Sequence, residues 1–457
     1  MKPELRGESF LIIGYGREGK SVHEFLKATK PGVRIGIADR QGVSGDVDPR
    51  VSVFSGESYL REAREYDTVI RSPGVSIREI APYVGPSTHL TSATNIFFEQ
   101  CPGKIIGITG TKGKSTTSAL TASVLRQGFS DVRLVGNIGA PMLDYLKDAN
   151  AQTCFVVELS SYQLEDLRRS PAIAILLNIV PEHLDYHGGF DAYCAAKLSI
   201  ARNQCESDAL IINDGFPLLS QMTEKLNARK YTFRERHDEQ ALVTVQDGAV
   251  VVRGQGAILK TAEIPVKGPG NLQNALAAIT CGAVLGVALD KIRAGIISFQ
   301  PLEHRLEFVG ERSGIRFYND SLSTIPEALA HALLALGDDV QTVIAGGYDR
   351  GVDMSPLGPA LADSRVQTLI LFPTTGEKIF EAAVNAAPDR DYRRVDVQSM
   401  EEAVQAAYDS TSPGKICVMS PASSSFSVFR DYRDRGQKFK DAVRLLAPSE
   451  PGASSAS

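Results

Sequence analysis

The run Gly110-Thr111-Lys112-Gly113-Lys114-Ser115-Thr116-Thr117 has the residue types and spacing of a phosphate cradle. It follows a short apolar run, Ile105 to Ile108, and opens a helix-like segment. A strand, a glycine-rich turn and a helix in that order aim backbone N–H groups and the positive end of a helix dipole at one anion. Lys114 adds a point charge, and Ser115 or Thr116 a hydroxyl for Mg2+. The spacing departs from the common G-x-x-x-x-G-K-[ST] form: Gly107 lies one residue too far from Gly113, and Ile108 stands where that glycine belongs. A tight turn alone would not need Lys-Ser-Thr-Thr after it, so we read a nucleoside-triphosphate loop. Glu158, ending the apolar run from Cys154, is placed to hold Mg2+ beside the phosphates; the alternative is a helix cap or surface carboxylate. In Asn178-Ile179-Val180-Pro181-Glu182-His183-Leu184-Asp185, His183 and Asp185 follow a buried strand and point to a metal or substrate role. Lys197 lies on an expected helix, and composition alone makes it a solvated surface lysine.

These groups need a scaffold, and the chain reads as α/β, with apolar runs ending in polar or glycine-rich residues. The first block opens with strand Phe10 to Ile13, Gly14-Tyr15-Gly16-Arg17-Glu18-Gly19 and an amphipathic helix containing Val22, Phe25 and Leu26. A second strand, Val33 to Ala38, ends in Asp39-Arg40, 20 positions after Gly19. Thr68 to Arg71 leads into Ser72-Pro73-Gly74. This fits a Rossmann-like unit, though the glycines alone also serve a fold with no ligand there. The central block adds strand Ala172 to Leu177, a β excursion over Ala241 to Val252, Gly268-Pro269-Gly270-Asn271-Leu272-Gln273-Asn274, and a helix over Ala275 to Leu285. The third block alternates strands at Arg316 to Tyr318, Thr342 to Ala345, Gln367 to Phe372 and Ile416 to Met419 with helices, a second Rossmann-like pattern. The expected divisions are residues 1–101, 102–303 and 304–447, with a disordered tail at 448–457.

A chain of 457 residues is long for one core, which agrees with several domains. A net charge of −5 argues against a nucleic-acid binder, so anionic ligands must meet local clusters and metal ions. The cysteines are scattered, with no C-x-x-C pair, and read as reduced thiols. Met1 to Phe10 lacks the apolar core of a signal peptide, and no apolar run approaches about 18 residues, so a cytoplasmic protein is expected.

The order of motifs resembles the Mur ligase superfamily, the ATP-dependent amide ligases that build the peptidoglycan stem peptide. The resemblance rests on Gly110 to Thr116, Gly136-Asn137-Ile138-Gly139, Glu158-Leu159-Ser160-Ser161-Tyr162-Gln163-Leu164, Asn178 through Asp185, Tyr193 with Ala196-Lys197, Asn271 with Asn274, His304-Arg305 and Asn319-Asp320-Ser321. Glu158 to Leu164 and the small first domain look most like the glutamate-adding branch. The resemblance implies a Rossmann-like first domain, a central P-loop ATPase domain and a Rossmann-like third domain.

It also implies roles. Tyr15, Gly16, Arg17, Asp39, Arg40 and Ser72-Pro73-Gly74 would hold the uridine diphosphate of UDP-N-acetylmuramoyl-L-alanine, with Asn137, Ser160 and Gln163 also touching that substrate. Gly110, Thr111, Lys112, Gly113, Lys114, Ser115 and Thr116 would hold ATP phosphates, Asn271 and Asn274 the adenine, and Arg305 and Asp320 the nucleotide. Ser115 and Glu158 would bind one Mg2+, and His183 and a CO2-carbamylated Lys197 a second. Lys114, His183 and Lys197 would be catalytic, and glutamate would meet Thr324, Arg350, Ser425 and Tyr432.

The glutamate pocket departs from the D-glutamate pattern. Asp-Ser-Lys-Ala-Thr-Asn of those relatives reads Asp320-Ser321-Leu322-Ser323-Thr324-Ile325 here, and their Gly-Gly-x-x-Lys reads Gly346-Gly347-Tyr348-Asp349-Arg350. Tyr432 stands where a phenylalanine is expected. An ammonium and a planar guanidinium do not grip a carboxylate alike. We read these changes as the L-glutamate-adding variant, served by a separate epimerase; the alternative is drift within a D-glutamate enzyme. A folylpolyglutamate synthase-like ligase would lack the first domain, and an NAD-dependent oxidoreductase leaves Lys114 and His183 unexplained.

Overall fold

The computed structural model describes residues 4–43, 48–137, 141–266, 268–300, 303–426 and 428–446. They form two compact units, one of Met1–Pro265 with Asn271–Phe299 and one of Val266–Gly270 with Gln300–Ser457. The expected tail at 448–457, and Ile138 and Gly139 of the Gly136 motif, lie outside the described residues.

The first unit holds two sheets. β1 (Ser9–Ile13), β2 (Arg34–Asp39), β3 (Ser52–Ser55), β4 (Thr68–Arg71) and β5 (His89–Ser92) form a parallel sheet in the order β3-β2-β1-β4-β5. The chain order reverses between β1 and β4, where open α/β sheets leave a crevice at the strand ends. Gly14 and Ser72 meet there: Gly14 N–H donates to Ala38 O and Ser72 N–H to Ile13 O, each at 2.8 Å.

The second sheet comprises β6 (Lys104–Thr109), β7 (Val132–Gly136), β8 (Cys154–Glu158), β9 (Ile173–Leu176), β10 (Ala209–Asn213), β11 (Arg229–Arg234), β12 (Val243–Gln246), β13 (Ala249–Val252) and β14 (Gly256–Lys260). Its order is β14-β13-β12-β11-β10-β9-β6-β8-β7. β6, β8 and β9 are apolar and buried almost throughout, as internal parallel strands require, and β7, with Arg133, is the half-buried edge. The excursion after β11 is an antiparallel meander that extends the edge of this sheet. Gly107 sits within β6, where a Cβ would come 2.8 Å from Pro171 Cγ. That packing explains a glycine out of register with the phosphate loop.

In the second unit, β15 (Glu307–Arg312), β16 (Ile315–Asn319), β17 (Val340–Gly346), β18 (Thr368–Phe372), β19 (Arg393–Asp396) and β20 (Ile416–Met419) run in the order β15-β16-β20-β17-β18-β19, with β15 antiparallel at the edge. Four of these strands match the expected ones to within a few residues. The helix expected from Ala275 starts earlier, at Pro269, because proline suits a first turn whose N–H has no intrahelical acceptor. All six cysteines are free, and no helix among the described residues is long and apolar enough to cross a membrane.

Candidate functional site

The phosphate loop leaves β6 at Thr109 and enters the helix Lys114–Leu125 through Gly113, whose φ of +86° is left-handed. Only glycine adopts that conformation without steric cost. The segment after β9 tethers the loop from the side: Lys112 N–H donates to Asn178 Oδ1 at 2.8 Å, and Asn178 Nδ2 donates back to Lys112 O at 3.0 Å. Thr111 N–H reaches Asn178 O at 2.8 Å, and the Thr111 hydroxyl lies 2.9 Å from that of Tyr193. The Lys112 ammonium pairs with Glu182 at 2.7 Å. Lys114 Nζ donates to Gly110 O and Thr111 O at 3.0 and 2.9 Å, so its charge sits inside the loop. Ser115 and Thr116 follow in the first turn, where N–H groups lack helical acceptors.

Glu158 ends β8 and is registered beside Ile108 of β6. It is buried; Asn137 Nδ2 donates to Oε1 at 3.2 Å, and Oε2 has no hydrogen-bond partner among the described residues. A buried, half-satisfied carboxylate next to a phosphate loop fits a divalent cation. The described residues contain no group of three His, Cys, Asp or Glu able to ligate a metal. A cation here would complete its shell with phosphate and water oxygens, as Mg2+ does.

Lys197 overturns its composition-based placement on the surface. It is 1% exposed on the helix Phe190–Arg202, its Nζ donates to Gly110 O at 2.8 Å, and it lies 4.8 Å from the Tyr193 ring centroid. Burial, then the nearby charge of Lys114, holds its pKa well below the lysine range. A lysine that gives up its proton easily is the one that can react with CO2.

His183 has a left-handed φ of +56° and begins the short helix Leu184–His187, its ring 5.0 Å from that of Tyr162. Burial lowers its pKa; Glu182 opposes this, and Lys114 and Lys197 add to it. Asp185 is exposed, whereas His187, which the sequence did not flag, is buried 3.0 Å from Ser161 Oγ, with burial pulling its pKa down to about 4.

At the β1/β4 crevice, Tyr15 N–H donates to Asp39 Oδ2 at 2.8 Å and Ser72 Oγ to Gly14 O at 2.8 Å. The Arg40 guanidinium pairs with Glu79 at 2.6 Å. Gly16 and Arg17 are exposed beside them, and a Cβ on Gly16 or Gly74 would meet open space. Ser160 and Gln163 cap the helix Ser161–Leu164 reciprocally, and Gln163 Nε2 donates to Glu18 Oε1 at 2.9 Å. Glu18, within the glycine motif, was also missed; burial raises its pKa, and its Oε2 has no partner among the described residues. Asn274 accepts from the Thr117 hydroxyl at 3.0 Å and donates to Asn271 at 3.1 Å, so this pair supports the loop directly.

In the second unit, Asp320 is buried and accepts from Ser323 Oγ at 2.5 Å, Ser420 Oγ at 2.8 Å and Leu306 N–H at 3.1 Å. Burial pushes its pKa up to about 6, with the half-buried Arg305 among the groups that oppose it. Arg350 is exposed and donates to Thr324 O at 3.2 Å. Ser425 is buried. Tyr432 O accepts from Ser321 Oγ at 2.7 Å. Arg435, unread in the sequence, organises this region. It is fully buried and donates to Ser321 Oγ, Ser321 O and Ser423 O at 3.0, 2.9 and 3.0 Å. Its neighbour Gly436 leaves room for His304, whose Nδ1 would lie 2.2 Å from an added Cβ. A cavity of about 320 Å³ of mixed lining lies elsewhere, near β10 and β11, among Ile212, Asp214, Lys230, Gln240, Leu242 and Arg253.

Residues 108–282 match the family described as Mur ligase middle domain, and residues 304–423 match Mur ligase, glutamate ligase domain. The chain is 32% identical to UDP-N-acetylmuramoylalanine--D-glutamate ligase of Acidobacterium capsulatum, covering 96% of this chain and 97% of the relative. It is 32% identical to the ligase of the same name from Acetivibrio thermocellus, covering 97% and 98%. Among solved structures, it resembles UDP-N-acetylmuramate-alanine ligase from Thermotoga maritima, with a TM-score of 0.60, 17% identity and coverage of 95% and 99%. It also resembles MurF ligase from the same organism in complex with ADP, with a TM-score of 0.57, 17% identity and coverage of 97% and 97%.

Proposed function

The chain belongs to the Mur ligase family of ATP-dependent amide-bond-forming ligases, and from that premise we propose that it adds D-glutamate to UDP-N-acetylmuramoyl-L-alanine in peptidoglycan precursor synthesis. The names of its full-length relatives support D-glutamate over the L-glutamate reading of the pocket substitutions. Leu322, Arg350 and Tyr432 are then variations within a D-glutamate pocket.

On this reading the division of labour follows the three sheets, with residues 1–101 serving the UDP-substrate, 102–303 ATP and 304–447 the amino acid. Tyr15, Gly16, Arg17, Asp39, Arg40 and Ser72 to Gly74 hold the uridine diphosphate, and Asn137, Ser160 and Gln163 line the way to the reacting carboxylate. The first-turn N–H groups and Lys114 receive the ATP phosphates. Asn271 and Asn274 flank adenine, and Arg305 and Asp320 also serve the nucleotide. Ser115 and Glu158 would hold Mg2+, and His183 and Lys197, as its carbamate, a second ion; bound there, the cations would screen the phosphate charge.

Lys114 offsets the repulsion as the alanyl carboxylate attacks the γ-phosphorus, and an acyl phosphate and ADP result. The glutamate amine then attacks the acyl carbon, and the tetrahedral intermediate loses phosphate to leave the amide. Thr324, Arg350, Ser425 and Tyr432 orient the incoming amino acid. ATP and nucleotide-sugar dependence place the reaction in the cytoplasm on this proposal.

The observation that carries the reading is Lys197, a lysine buried against the phosphate loop itself, 2.8 Å from Gly110 O. Mass spectrometry of the nucleotide product tests it. Incubation with ATP, Mg2+, UDP-N-acetylmuramoyl-L-alanine and D-glutamate gives a nucleotide longer by one glutamyl residue. An unchanged nucleotide, with ATP hydrolysed or not, refutes the proposal.

A further inference from the structure

Two side chains with no part in the chemistry above join the first sheet to the His183 turn. Arg71, the last residue of β4, is 1% exposed. Its Nη2 donates to Asp166 Oδ1 at 2.7 Å and to Tyr162 O at 2.8 Å, and its Nη1 to Val75 O at 3.2 Å. A guanidinium shut away from water is costly unless its donors are met, and here both terminal nitrogens are engaged while Nε alone has no partner among the described residues. Asp166 alone would meet the charge, yet the contacts continue. The Tyr186 hydroxyl lies 2.9 Å from Pro73 O, 3.0 Å from Glu165 Oε2 and 3.4 Å from Arg71 Nη1. A phenol has one proton, so it donates to Pro73 or Glu165 and accepts from the arginine.

The Tyr186 ring carries the link onward. It stands edge-on to Tyr162 at 4.3 Å, and Tyr162 lies 5.0 Å from His183. From the first sheet's side, Arg78 Nη2 donates to the carbonyls of Tyr186 and of Asp185. The Ser72-Pro73-Gly74 loop and the turn bearing His183 are therefore held by one continuous set of contacts, although more than 100 residues separate Pro73 from Tyr186.

We propose that Arg71 and Tyr186 are positioning residues that fix the Ser72-Pro73-Gly74 loop relative to His183, so that the acceptor carboxylate of the UDP-substrate is delivered to the phosphate loop in register. This rests on the function proposed above. A purely structural ion pair would need Arg71 and Asp166 but not a hydroxyl bridging to Pro73.

Tyr186→Phe keeps the ring contacts and removes one oxygen. The KM for UDP-N-acetylmuramoyl-L-alanine rises about fivefold, with the KM for ATP within about twofold. Arg71→Lys keeps the charge but loses the planar fork, and it gives a smaller rise than Arg71→Met. Hydrogen exchange on the substrate-free protein supplies a readout independent of activity. The His187 and Gly188 amides, which donate to His183 O and Leu184 O at 3.2 and 2.7 Å, exchange faster in Tyr186→Phe. Equal changes in both KM values, or none, overturn the proposal. If the parent does not use the UDP-substrate, the function fails on its own, and exchange still decides the coupling: faster exchange in the turn upholds it, and unchanged exchange overturns it.

Discussion

Replacing Gly113 by alanine tests whether the phosphate loop is shaped by the asparagine behind it. At φ +86° an alanine pays a left-handed penalty of about 1 kcal/mol. Its Cβ would also lie 2.3 Å from Asn274 Oδ1, so the amide must swing away. That movement breaks the 3.0 Å bond from Thr117 Oγ1 and the 3.1 Å bond to Asn271. At about 1 kcal/mol each, the total loss is about 3 kcal/mol. Asn274→Ala alone forfeits the same two bonds, about 2 kcal/mol. In the double variant the clash is gone and the bonds are lost once, so the cost stays near 3 kcal/mol, not the additive 5 or so. Urea unfolding of the four proteins measures this coupling of about 2 kcal/mol. Both Gly113 variants also raise the KM for ATP by about tenfold or more, because displaced loop N–H groups no longer converge on the phosphates. Additive unfolding energies, or an unchanged KM for ATP, would mean that Asn274 does not shape the loop.

Lys197→Met lowers turnover by on the order of 100-fold with little change in thermal stability, since a buried amine whose charged form is disfavoured gives way to an apolar chain of similar size. Removing CO2 lowers the parent's activity and bicarbonate restores it; a fully active Lys197→Met protein rejects the carbamate. For Asp320, whose pKa burial raises to about 6 from an ordinary value near 4, the folded chain keeps a proton that the unfolded chain has lost between those pH values. Stability from this group therefore falls as pH rises through the window, by on the order of 3 kcal/mol, and chemical unfolding from pH 4 to 6 shows the slope in the parent but not in Asp320→Asn. Identical slopes exclude the shift. Arg435→Met breaks the tie between Ser321 and Ser423. Lost hydrogen bonds and relieved burial of a cation oppose each other, so stability moves by less than about 2 kcal/mol while the KM for glutamate rises about tenfold. An unchanged KM for glutamate would make Arg435 a structural residue only.

The strand, loop and helix around Lys114 were legible because buried parallel strands are short apolar runs punctuated by glycine. β15 was not: Glu307 to Arg312 carries charges at an exposed sheet edge and offers no apolar alternation to read. Gly107 lies out of register with the loop pattern, and the reason for it, close packing against Pro171, exists only in the folded chain. Lys197 could not be placed from its own helix, because its burial comes from Gly110, 87 residues away. Arg435 and Ser321 are 114 residues apart, and a buried arginine has the same local pattern as a solvated one. Family resemblance recovered Lys197 but not Arg71, Tyr186 or Arg435, whose work is to hold other residues in place. The pocket substitutions at Leu322 and Arg350 suggested a change of stereochemistry, and side-chain type alone cannot distinguish that from drift around the same ligand.

The most direct measurement is phosphate release with ATP, Mg2+ and UDP-N-acetylmuramoyl-L-alanine, run in parallel with D-glutamate and with L-glutamate. Release depends on both the nucleotide sugar and D-glutamate, with little above background for L-glutamate. Release with L-glutamate alone would contradict the assigned stereochemistry, and release with neither would contradict the assigned reaction.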